Sequence, residues 1–145
     1  MKQILGMKYQ PLAHCVAATL LGLASLAPVA TANDAIVRTT GGVTYVSGGV
    51  GEESIGQLSA LSKDFNLKLV FALKSGDYLS GVGVAIADAS GKTLLNATSD
   101  GPWFLTKLPS GNYKIVATFA GTSVTRQAAV SAANLSVIDM RWSSE

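Results

Sequence analysis

The chain has 145 residues, with 11 Lys and Arg, 9 Asp and Glu, one His and one Cys, a length that suits one ordinary domain. Charged residues make up 14% and hydrophobic residues 48%, which argues against disorder, a state of low hydrophobicity and high net charge. The formal net charge is only +2 and the basic residues are scattered singly, so the chain lacks the electrostatic footprint of a nucleic-acid binder.

Residues 1–32 read as a signal peptide. Lys2 and Lys8 supply a positive start, residues 15–26 are an apolar run, Pro28 breaks it, and Ala30-Thr31-Ala32 has the small-x-small form of a cleavage site. The apolar run is shorter than the roughly 20 residues of a spanning helix. The membrane is therefore expected only as the route of signal-peptide transit, and the mature protein is expected in the periplasm or secreted. Cleavage after Ala32 leaves 113 residues and removes the chain's one Cys (Cys15) and one His (His14). It also removes Lys2 and Lys8, leaving nine basic against nine acidic residues and a formal charge of zero.

Residues 33–42 carry few packing signals, and a flexible N-terminus is expected there. Residues 43–65 read as a short strand, a Gly48-Gly49-Val50-Gly51 turn and an amphipathic helix. Ile55, Leu58, Leu61 and Phe65 recur at steps of three and four, which marks one helix face. Glu52 and Glu53 stand at its start and Lys63 near its end, in keeping with the helix dipole. From residue 66 to 142 everything reads as short strands. Leu67, Leu69 and Phe71 alternate with polar or smaller neighbours, as do Val82, Val84 and Ile86, and then Tyr113, Ile115, Ala117 and Phe119. Between the strands stand turns such as Asp88-Ala89-Ser90-Gly91, Ser99-Asp100-Gly101-Pro102 and Pro109-Ser110-Gly111-Asn112. No helix-length segment separates them, which excludes a parallel βαβ architecture. The expected fold is mainly β, an antiparallel sandwich of about seven strands with one short N-terminal helix packed on it.

Residues 79–142 resemble the carboxypeptidase regulatory-like domain, a module of transthyretin-like (prealbumin-like) fold. The likeness rests on Leu79-Ser80-Gly81-Val82-Gly83-Val84-Ala85-Ile86-Ala87-Asp88, Ser90-Gly91-Lys92, Ser99-Asp100-Gly101, Trp103-Phe104-Leu105 and Leu108-Pro109-Ser110-Gly111-Asn112-Tyr113-Lys114-Ile115. As a whole the chain looks like small secreted proteobacterial proteins that carry this module. The resemblance implies that Trp103 and Leu105 point into the core, that Tyr113 packs inward at its rim, and that Phe104 lies on the outer face beside Val116. The helix is then the expected cover for Phe104 and Val116. Such modules are joined to many unrelated proteins, so the likeness speaks to fold rather than activity.

Without Cys or His, the mature chain cannot assemble a Cys-His or Ser-His-Asp nucleophile, nor a transition-metal site of N and S ligands. The transthyretin-like hydrolases of purine breakdown use His and a C-terminal Tyr-Arg-Gly-Ser motif, whereas this chain ends Arg141-Trp142-Ser143-Ser144-Glu145. Glu52 and Glu53 are adjacent on a helix and cannot converge as paired carboxylates, and they would repel a phosphate at the Gly-rich turn. Asp139 and Arg141 share a strand face, where an exposed ion pair is expected. No enzymatic activity and no cofactor or metal are expected. The remaining reading is a non-catalytic module for protein interaction or envelope assembly, using a sheet edge or the loop of Gly48, Gly49, Gly51, Glu52 and Glu53. A small-ligand or glycan-binding module with aromatic contacts at Tyr45, Tyr78 or Phe104 is the alternative. The corresponding partner is an envelope protein or a polysaccharide.

Overall fold

The computed structural model describes residues 35–143, so the expected signal peptide, residues 1–32, lies outside the described residues. Nine strands form in chain order: β1 (Arg38–Thr40), β2 (Val43–Gly48), β3 (Leu67–Leu73), β4 (Gly83–Asp88), β5 (Thr93–Thr98), β6 (Trp103–Lys107), β7 (Gly111–Phe119), β8 (Thr122–Val130) and β9 (Ser136–Trp142). Helix α1 (Glu52–Leu61) follows β2 and runs into a 3-10 turn over Ser62–Asp64. The strands make two sheets, one in the order β1-β2-β6-β3-β9 and the other β5-β4-β7-β8. The fold is a two-sheet β-sandwich with one helix, as the turn spacing predicts.

Three departures from the expected outline have physical causes. Arg38–Thr40, expected as irregular chain, pairs with Thr40↔Val43 through Arg38↔Tyr45 as an edge strand, closed by a turn at Gly41-Gly42, both at positive φ. Strand β2, expected in an extension outside the sandwich, is an interior strand with β1 on one side and β6 on the other. Strand β9 runs parallel to β3, from Leu67↔Ser136 to Leu73↔Trp142, so the sandwich is not wholly antiparallel. Parallel neighbours need a long crossover, and here the chain between β3 and β9 travels through the whole second sheet.

The core between the sheets is built from alternate residues. Leu67, Leu69 and Phe71 of β3 meet Val84 and Ile86 of β4 and Ile115 and Ala117 of β7, all at 1% exposure or less. Tyr113 closes the rim as expected: it is buried, and its hydroxyl donates to the Pro109 carbonyl at 2.6 Å. At the other end, the Trp142 indole N–H donates to the Thr122 carbonyl at 2.8 Å, linking β9 across to β8. Buried Asn66 holds Leu108 at both backbone groups, its Nδ2 donating to the carbonyl at 2.7 Å and its Oδ1 accepting from the amide at 2.9 Å. That pair fixes the turn into β7 and satisfies polar groups that would be costly to bury alone.

The phase of β6 is opposite to the one the family resemblance implies. Phe104 is fully buried between the sheets, stacked on Tyr45 with ring centroids 5.2 Å apart and planes at 13°. Leu105 points outward, where it joins Val46, Leu58 and Phe65 in a second apolar cluster, with Trp103 packed at its border. The register explains this. Leu69↔Phe104 places Phe104 on the apolar side of β3, and Lys68↔Leu105 places Leu105 on the other. The helix does cover a sheet, but what it covers is Leu105 and Val46 rather than Phe104 and Val116. Val116 lies in the other sheet, opposite Ala85 and Thr125. Ile55 does not join the covering face and is 38% exposed.

Two outcomes test this arrangement. Phe104→Ala should cost about 3–5 kcal/mol, the range for a buried aromatic, and Trp103→Ala should cost less; chemical denaturation that reverses this order would restore the expected phase. Burial, with a smaller contribution from the Asp88 carboxylate, raises the Tyr113 phenol above its ordinary value. A raised phenol keeps its neutral form in the folded state, so its contribution to stability is complete below about pH 10 and is lost as pH rises through the folded value. Tyr113→Phe should therefore flatten the alkaline fall in stability; an unchanged slope would contradict the assignment.

Candidate functional site

The loop of residues 48–53 is built for close packing at its start and exposure at its end. Gly49 is buried at φ +98°, and a Cβ there would stand 3.1 Å from Cγ of Trp103. Its amide donates to Ser54 Oγ at 2.8 Å, which ties the turn to the first turn of α1. Gly101, in the turn before β6, abuts the Gly48 backbone so closely that a Cβ would collide with the Gly48 carbonyl. Ser47 joins the same junction, donating from Oγ to the Trp103 carbonyl at 2.8 Å and accepting from the Asp100 amide at 2.9 Å. Gly48 and Gly49 are thus engaged in packing the turn, while Val50, Gly51, Glu52 and Glu53 face solvent.

Glu52 and Glu53 occupy the first helical turn, where acidic side chains complement the dipole. Gly51 caps the helix without a side-chain hydrogen bond, and the Ile55 amide bonds its carbonyl at 3.1 Å. The two carboxylates are joined by no third acidic, His or Cys side chain in a grouping that could hold a metal ion, among the described residues.

The three aromatic candidates separate. Tyr45 is 8% exposed and Phe104 is fully buried, so both serve the core and neither offers a flat contact surface. Tyr78 alone is open, at 67% exposure, in the loop after β3. Tyr45 and Phe104 are thereby corrected as candidate contacts, and Tyr78 is the exposed one of the three: alternation puts Tyr45 on the inner face of β2, and the β6 register brings Phe104 against it.

Two features escape the sequence reading. Lys68 lies 3.3 Å over the Trp103 ring centroid, covering the indole on the outer face of the first sheet. Burial lowers its ammonium below the ordinary value, against a smaller opposing pull from Asp139. The Asp139–Arg141 pair expected on β9 does not form. The ion pair present among the described residues joins Arg38 to Asp100 at 2.6 Å, while Arg141 reaches the Leu73 carbonyl at 3.4 Å. Arg38–Asp100 anchors the start of β1 to the turn that carries Gly101. Both groups are largely solvated, so the pair is worth at most about 1 kcal/mol.

Neither a scan against protein families nor a search of curated proteins finds a match for this chain.

If the loop owes its shape to the contact between its glycines and the Gly101 turn, Gly101→Ala should destabilise the protein by about 1–3 kcal/mol through overpacking. Val50→Ala, at an open position, should leave the melting temperature unchanged. A Gly101→Ala protein as stable as the parent would show that the two turns do not bear on each other.

Proposed function

We propose that the chain is an exported, non-catalytic β-sandwich module of the cell envelope that engages a protein partner through the apolar residues flanking α1. The observation that carries this reading is the distribution of exposed large hydrophobic side chains. Seven are exposed among the described residues, and four of them, Ile36, Val37, Val50 and Ile55, lie before β1, in the loop after β2 or in the first turn of α1. The Ala35 amide donates to Gln57 Oε1 at 2.9 Å, so the segment before β1 is fastened to the same helix that Val50 and Ile55 open. Isolated exposed hydrophobics need no explanation, but a grouping around one element is the mark of an interaction surface.

The edge of the first sheet adds to it. Strand β1 pairs with β2 alone and has three residues, leaving backbone groups to which a partner strand can add. The resemblance of residues 79–142 to carboxypeptidase regulatory-like domains supports an accessory rather than catalytic role, and the signal-peptide pattern of residues 1–32 supports action beyond the inner membrane. The loop of residues 48–53 then serves in two parts, with its glycines holding the turn and Val50 offering the contact.

A photo-crosslinking residue placed at Val50 or Ile36 in cells should yield a discrete protein adduct, and one placed at Thr125, on the opposite sheet, should not. Equal labelling from Thr125 would overturn the assignment of this surface. The intact mass of the protein recovered from envelope or medium should lack residues 1–32; a mass retaining them would contradict export with cleavage.

A further inference from the structure

Among the described residues, the sandwich core is open at one end. Beyond the last core layer, the mouth between β3 and β9 on one side and the β7–β8 hairpin on the other encloses about 500 Å³, within the size range of small-ligand sites. Its walls are the inward-facing side chains Leu73, Phe119, Val124 and Trp142. Trp142 is held edge-on to Phe119, with centroids 6.2 Å apart, and its N–H is already engaged by Thr122. The aromatic floor is therefore rigid, and its polar atom is satisfied. The hairpin that closes the far side turns at Ala120 and Gly121, at φ +49° and +80°.

The rim is charged with one sign. Lys74 and Arg141 line the mouth together with Ser143, and no Asp or Glu among the described residues does. The Lys74 backbone amide bonds the Trp142 carbonyl at 2.7 Å, and the Arg141 guanidinium lies 3.4 Å from the Leu73 carbonyl, so both residues are fixed where β3 and β9 end. Neither forms an ion pair among the described residues. An apolar recess with two cations at its opening that have no ion-pair partner among the described residues matches a molecule with an apolar body and one anionic end.

We infer that this open end of the core binds a small amphiphilic anion, a carboxylate on an aliphatic chain, with the chain against Phe119 and Trp142 and the carboxylate between Lys74 and Arg141. The inference is independent of the protein-docking surface around α1.

The chain's two tryptophans make the test direct. Trp103→Phe leaves Trp142 as the sole indole reporter, and that variant is titrated with octanoate, octan-1-ol and octylammonium. Octanoate should produce a saturable change in Trp142 emission and bind about threefold to tenfold more tightly than the alcohol, the range set by one or two solvated charge contacts. Added salt should narrow that preference. Lys74→Ala with Arg141→Ala, both at exposed positions, should abolish the preference while leaving alcohol binding in place. The site is overturned if octanoate gives no saturable change. It is equally overturned if alcohol or ammonium binds as tightly as the carboxylate, or if the double variant keeps the preference.

Discussion

Strand β6 has no solvent face along its middle. Phe104 is fully buried between the sheets and Leu105 is fully buried beneath α1, so one short strand supplies the centre of two apolar clusters at once. A two-sheet sandwich alone gives each strand one buried and one wet face. Here the outer face of β2 and β6 requires a third layer, and α1 with its 3-10 turn provides it. Burying Leu58 and Phe65 there is worth roughly 1.5–3 kcal/mol each before ordering entropy is subtracted. The helix is thus a structural part of the sandwich, although in sequence it stands ahead of most of the strands.

That double burial also decides what sequence could reveal. The alternation of Leu67, Leu69 and Phe71, or of Tyr113 and Ile115, is legible because the opposite positions hold Lys68 and Val70, or Lys114 and Val116, which are polar or smaller. Trp103-Phe104-Leu105 is apolar throughout, since both its faces are covered, and periodicity then carries no phase. Only the pairing of Leu69 with Phe104 settles it, and strand pairing is not written in any local pattern. The same limit hides the parallel partnership of β3 and β9 and the buried ring of Tyr45. Turns fared better because their chemistry is local. Asp88 accepts from the Ser90 and Lys92 amides within its own turn, and the glycines at 49, 51, 76, 81, 91 and 121 take the positive φ that such turns need.

The candidate site residues were only partly legible for a related reason. The Gly-rich loop was visible, but Gly48 lies against the Gly101 turn and Gly49 against Trp103, contacts from more than 50 residues later in the chain that have no local signature. Of the three aromatics singled out, one is open to solvent, because large apolar rings are more often drawn into a core than left for a ligand. Lys74 carried no signal and Arg141 was legible only as a neighbour of Asp139: 67 residues apart, they come to the same end of the sheet because β3 and β9 end side by side. Exposed apolar groups stand on and before α1, while at the end of the β7–β8 hairpin the described residues leave the core open beside Lys74 and Arg141.

Strand β6 divides its side chains between an inner core and a helix-covered outer cluster. Nuclear Overhauser contacts from the Leu58 methyl groups test it most directly. The predicted result is contact between Leu58 and Leu105, together with Phe104 ring contacts to Tyr45 and none to Leu58. Contacts from Leu58 to the Phe104 ring, with Leu105 in contact with the inner residues of the second sheet, would contradict it.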